Sequence, residues 1–166
     1  MNEYLTGISL SAEALCELIE YFEQGDRPVV LCMVGDHTTS FANDIVSAEY
    51  SEQEADLRLR GTPYVVWSNC DIDESWLPEY VSLHSLGSCV LASAGAARSD
   101  YDSYVAQLTR QVPVFLSGGD WYDAEGQRHD YQGMAQLPEA LQDYVCLLYN
   151  NLAGGEGRLG EFFCGG

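Results

Sequence analysis

An unbroken apolar run, Val29-Val30-Leu31-Cys32-Met33-Val34, stops at Gly35 and is followed at once by Asp36 and His37. Apolar on successive rather than alternate residues, the run reads as a strand buried within a sheet. Its end delivers a carboxylate and an imidazole, two metal-ligating side chains, to the following loop. In an open α/β sheet, ligands and metals collect beyond the carboxyl ends of strands. Chemistry is therefore expected at Asp36 and His37.

Around this strand the periodicity alternates between helix and strand. Leu15, Leu18, Ile19 and Phe22 follow helical spacing, with Ser11 as the expected N-cap, Glu13 in the first turn and Gly25 at the end. Pro28 opens the first strand, so a helix feeds a strand across a short loop, as in a parallel α/β unit. Residues 38–60 are polar and acidic, with a helix expected over 51–60. Residues 62–68 form the second strong strand, with Pro63 at its start, where no ladder donor is lost. An acidic loop follows over 69–78. Leu83, Leu86, Val90 and Leu91 mark a helix stopped near Gly95, residues 101–111 another, and Pro113 opens a third strand broken at Gly118-Gly119. A hairpin is expected over 121–131, turning at 123–126. A last helix spans 138–150, and the glycine-rich tail from Gly154 reads as frayed.

The expected fold is α/β: a partial, mostly parallel sheet with flanking helices and a C-terminal hairpin. About three strands is few for a parallel sheet, which usually has ~4–6 and is covered on both faces. The chain thus reads as part of a larger domain, with a sheet edge left open to pairing. Residues 1–152 form this incomplete domain and 153–166 the tail.

Composition narrows the function. The 166 residues are 46% hydrophobic, enough for a core, and carry 26 acidic against 7 basic residues, net −19. Such a surface repels phosphate backbones, so no nucleic acid is expected as a partner. Handling an anionic ester would need a metal or a basic partner. No membrane span or signal peptide is legible. The six cysteines form no CxxC pair and read as small buried apolar residues, not as a disulfide framework.

Other candidates read as structural. His84 is expected as a partly buried helix histidine and His129 as solvent-facing. Asp71, Asp73 and Glu74 lack the EF-hand glycine and terminal glutamate and form a solvated acidic loop. Trp67 reads as a core residue. Ser40 and Ser68 have no histidine-carboxylate partner for a hydrolase triad.

The order Asn2-Glu3-Tyr4-Leu5, a helix, Val-Val-x-x-x-x-Gly35-Asp36-His37, then Thr62-Pro63-Tyr64-Val65-Val66-Trp67-Ser68-Asn69 about 25 residues on, resembles the carboxy-terminal part of lipoteichoic acid synthase-like proteins. These are phosphoglycerol transferases of the sulfatase and alkaline phosphatase superfamily. The stretch Tyr101 to Val114 and the closing Tyr149-Asn150-Asn151-Leu152 are similar as well. The resemblance implies the C-terminal part of the sulfatase-like fold and a divalent metal, usually Mn2+, with Zn2+ or Mg2+ as alternatives. It also implies an anionic lipid or glycerophosphate substrate. The parent family is membrane-anchored, with its catalytic domain outside the cell. Asp36 and His37 are the metal ligands carried over. The family's threonine nucleophile, its other acidic ligand and its substrate-binding histidine lie amino-terminal to the matched region, so no catalytic residue is placed here. Thr38 and Thr39 are not at the nucleophile's position, and Ala12 stands where an acidic residue is expected. Two ligands do not close a four-coordinate site. The expectation is weak metal binding and no turnover without a missing N-terminal half or partner chain. The alternatives are a stand-alone, non-catalytic remnant or interaction module, and a fragment of a sulfatase or phosphodiesterase of the same superfamily.

Overall fold

The computed structural model describes residues 2–40 and 42–164. Helix occupies 54% of the chain, and the only sheets among the described residues are two small antiparallel ones, of two and three strands. The expected mostly parallel sheet is therefore corrected. The chain divides into two compact bodies, residues 1–70 and 71–166. Among the described residues, no helix is long and apolar enough to cross a membrane.

In the first body, helix α1 (Asn2–Glu23) leads to β1 (Val30–Val34), helices α2 (Ala42–Glu49) and α3 (Glu52–Arg60), and β2 (Tyr64–Ser68). Ser11 does not cap α1. It lies mid-helix and donates its hydroxyl to the Gly7 carbonyl at 3.0 Å, because helical spacing extends back through Ile8 and Leu5. β1 and β2 pair antiparallel, from Val30 opposite Ser68 to Val34 opposite Tyr64. The direction follows from how the strand ends are fastened. The Gly35 N–H donates to the Pro63 carbonyl at 3.0 Å and the Thr62 hydroxyl to the Gly35 carbonyl at 2.7 Å. The end of β1 is thus tied to the start of β2, and only antiparallel strands meet that way. Ser51 caps α3 in a reciprocal box with Glu54, which satisfies donors that the first turn would leave orphaned.

The second body runs α4 (Leu83–Ser93), α5 (Asp100–Thr109), the strands β3 (Val114–Phe115), β4 (Trp121–Tyr122) and β5 (Arg128–His129), α6 (Glu139–Ala153) and α7 (Gly160–Cys164). Its core is Val105, Leu108 and Val112 against Leu137, Leu141 and Tyr144. Asp102 joins α4 to α5, accepting from the Ser88 hydroxyl at 2.9 Å and the Ser99 hydroxyl at 2.6 Å. Burial alone would raise its pKa, but these bonds outweigh burial and hold the carboxyl below its usual range. The third expected strand does form, but it pairs antiparallel with β4, closing a three-stranded ribbon. The expected frayed tail instead carries α7, whose Phe163 ring lies 5.2 Å from that of Tyr101 on α5. Residues 165 and 166 fall outside the described residues.

Gly119 turns β3 into β4 with φ +94°, and a Cβ there would lie 2.6 Å from Tyr131 Cγ. Gly119→Ala is therefore expected to cost about 1–2 kcal/mol. The check is a lowered urea midpoint together with shifted Tyr131 ring resonances.

Candidate functional site

Asp36 and His37 leave β1 between two fastenings. On one side is the Gly35–Pro63–Thr62 tie. On the other, the Thr38 hydroxyl donates to the Leu59 carbonyl at the end of α3. The pair between them is exposed, His37 by 79% and Asp36 by 87% of its side chain. The Asp36 carboxylate accepts the His37 backbone N–H through Oδ1 at 2.9 Å, which leaves Oδ2 free to face the ring. Asp36 Oδ2 and His37 Nε2 are 3.4 Å apart. His37 Nδ1 lies 3.1 Å from the Thr38 carbonyl, which can only accept. With its proton on Nδ1 the ring donates to that carbonyl, and Nε2 is the nitrogen that faces Asp36. Metal-bound histidines are oriented in this way, by donating the far nitrogen to a carbonyl.

These residues fit a divalent cation in kind but not in number. Two donor atoms each about 2.1 Å from one tetrahedral ion stand about 3.4 Å apart, which matches the Oδ2–Nε2 separation. A hard oxygen with an imidazole suits Mn2+ or Zn2+. No third His, Cys, Asp or Glu joins them among the described residues. Thr38 is held by Leu59 and is not positioned as a nucleophile.

The other candidates separate. Cysteine burial holds only for Cys89. Cys16, Cys32, Cys146 and Cys164 are exposed and Cys70 is intermediate, because the faces carrying them are uncovered. Burial pushes the Cys89 thiol up, with a hydrogen bond to Thr109 partly opposing it. Trp67 is only partly buried. Asp71, Asp73 and Glu74 are exposed as expected. Asp73 caps the following 3₁₀ turn, accepting from the Ser75 N–H at 3.0 Å, which is a structural use of its charge.

His84 lies on α4 with one side of its ring packed and the rest open. It stands exposed at the rim of a cavity of about 600 Å3, also lined by Phe115, Tyr131, Met134, Tyr144 and Leu148. Its ring stacks on Tyr144 at 5.4 Å. The crowding on that side lowers its pKa from the ordinary value, because the charged form is poorly hydrated there.

His129 is not simply solvent-facing. Its ring stacks on Trp121 at 4.0 Å, and Nε2–H donates to Asp123 Oδ2 at 2.8 Å. The Trp121–Tyr122–Asp123 and Arg128–His129–Asp130 triplets were the sequence signal: aromatic and cationic residues facing each other across a short turn. The hydrogen bond from His129, then those from the Gln127 and Glu125 backbone, hold the Asp123 carboxyl below its usual range. An unfolded Asp titrates near about 3.9. This stabilisation is therefore complete above that pH and is lost as pH falls through the lower folded value. Acid titration is expected to release the Trp121 indole resonance from its stacked shift below about pH 4. In His129→Gln the acid step is expected to move toward the unfolded value.

No protein-family model matches the chain, and no curated protein and no solved structure is significantly similar to it.

Proposed function

We propose that this chain supplies the Asp36–His37 half of a divalent-metal site for phosphoglycerol transfer, in the manner of lipoteichoic acid synthase-like enzymes. The remaining ligands and the threonine nucleophile come from a segment or chain beyond the residues matched here. The observation that carries the reading is the exposed Oδ2–Nε2 pair at 3.4 Å, with Nδ1 turned to a backbone carbonyl. The ordered Gly-Asp-His and Thr-Pro-Tyr segments support it. A bound cation would neutralise phosphoryl oxygens and lower the pKa of an attacking hydroxyl. This chain's own part is to present two donors already oriented, with little desolvation to overcome. Alone it is expected to be inactive.

Mn2+ titration with proton NMR tests the site. Paramagnetic broadening is expected to centre on the His37 ring and the Asp36 amide. Asp36→Asn and His37→Ala are each expected to weaken it at least about tenfold. Broadening spread evenly over the acidic surface would overturn the assignment. Reconstitution with an amino-terminal half of such an enzyme tests the reaction. Glycerophosphate transfer that is unchanged by both substitutions would refute their roles.

A second reading, a non-catalytic interaction module, draws on the want of a third ligand among the described residues. The reconstitution separates the two: a module binds the amino-terminal half without restoring transfer.

A further inference from the structure

The body of residues 1–70 has almost no interior. Among its described hydrophobic residues only Ala55 is buried, and no described residue of α1 is. Met33, Val34 and Val65 on the two strands are 37%, 40% and 43% exposed, although β1 is apolar at every position. Strands of that composition belong inside a sheet with both faces covered.

The backbone of β1 is open as well. The bonds from Gly35 N–H to the Pro63 carbonyl and from Asn69 N–H to the Val29 carbonyl fix the pairing phase. Residues 29, 31, 33 and 35 turn their polar groups to β2, so Val30, Cys32 and Val34 turn theirs outward. Among the described residues these outward groups have no backbone partner. Edge strands are ordinarily blunted by a charge, a proline or a bulge. β1, with the sequence Val-Leu-Cys-Met-Val, carries no charge and no proline, and its register with β2 is unbroken.

We propose that the outer edge of β1 is a docking surface for a β-strand of a basic partner polypeptide. Strand addition would satisfy the outward N–H and C=O groups of Val30, Cys32 and Val34, and it would cover side chains on both faces. Charge selects the partner. Residues 1–70 hold twelve acidic against three basic residues, and residues 71–166 hold fourteen against four. A second copy of the chain would bring another net −19, whereas a strand flanked by Lys and Arg meets the acidic body with the opposite sign.

The probe is a nine-residue synthetic peptide alternating valine with lysine and threonine, added to the full 15N-labelled chain. Saturable binding is expected, with amide shifts concentrated at Val30, Cys32 and Val34 and an affinity about tenfold weaker at 0.5 M salt than at 0.05 M. Cys32→Pro removes only an outward N–H, at an edge where proline is tolerated, and is expected to abolish binding. Val34→Pro serves the same purpose if that variant misfolds, with preserved exchange protection at Leu31 and Met33 as the check on folding. Three results overturn the proposal. One is equal binding by the peptide with glutamate in place of lysine. Another is a sedimenting dimer of the chain that protects the same three amides. The last is protection of those amides in the monomeric chain without peptide.

Discussion

Replacing Leu141 with alanine is expected to lower the unfolding free energy of the 71–166 body by about 3 kcal/mol, within a range of about 2–5. Leu141 has no exposed surface and sits among Val105, Leu108, Val112, Leu137 and Tyr144. Deleting its isobutyl group forfeits the transfer energy and leaves a void. Two neighbours, Tyr144 buried and Tyr104 partly buried, resist closing that void. Tyr144 is one turn further along α6, and the Tyr104 hydroxyl is bonded to the Ala140 carbonyl beside it. Leu141→Met keeps the volume and is expected to cost less than about 1.5 kcal/mol. Urea unfolding followed by the fluorescence of Trp121 reads both. A loss under about 1 kcal/mol for the alanine variant would show that the core is not centred there.

Asn69→Ala is expected to cost the 1–70 body about 2–3 kcal/mol. One amide group ties three places together. Its Oδ1 accepts from the Val29 N–H at 2.7 Å, and its Nδ2 donates to the carbonyls of Phe22 and Arg27, both at 3.0 Å. Those partners lie at the end of α1 and in the link to β1, while Asn69 itself closes β2. With so little apolar burial in this body, the clamp carries an unusual share of its order. Asn69→Asp is the sharper test. It keeps the shape and the Val29 bond but sets a carboxylate oxygen against two carbonyls. It is expected to destabilise at least as much as alanine. Hydrogen exchange at Val30–Val34 reads the result, and wild-type protection in the Asp variant would remove the donor half of the clamp from the account.

Most elements were legible because apolar spacing or turn chemistry marks them. The strands at 30–34 and 64–68, the helix after Ser51 and the turn at Gly126 all stand where their residues place them. Strand direction was not legible. Val29–Val34 reads as a strand inside a sheet in either orientation, and the fastening of Gly35 to Pro63 and Thr62 is a contact across 27 positions that no local pattern announces. α2 was missed because Ala42–Glu49 is only eight residues long and its two large apolar residues, Ile45 and Val46, are adjacent and mark no helical period. α7 was missed because Phe162 and Phe163 sit among glycines, and only the distant ring of Tyr101 gives them a purpose. At the site, the pairing of Asp36 with His37 follows from adjacency. The role of the Thr38 carbonyl in orienting the ring needed coordinates. His129 was misread because its partners, Trp121 and Asp123, come from the other arm of a ribbon whose exact register the sequence leaves open.

The division at Cys70 and Asp71 changes what a melting curve of this protein means. A chain whose two halves hold such unequal amounts of packed hydrocarbon has no single melting temperature to report. Heat would loosen the amino-terminal half first, while the aromatic signals of the other half still reported a folded molecule. A stabilising agent therefore has to be judged by which half it protects.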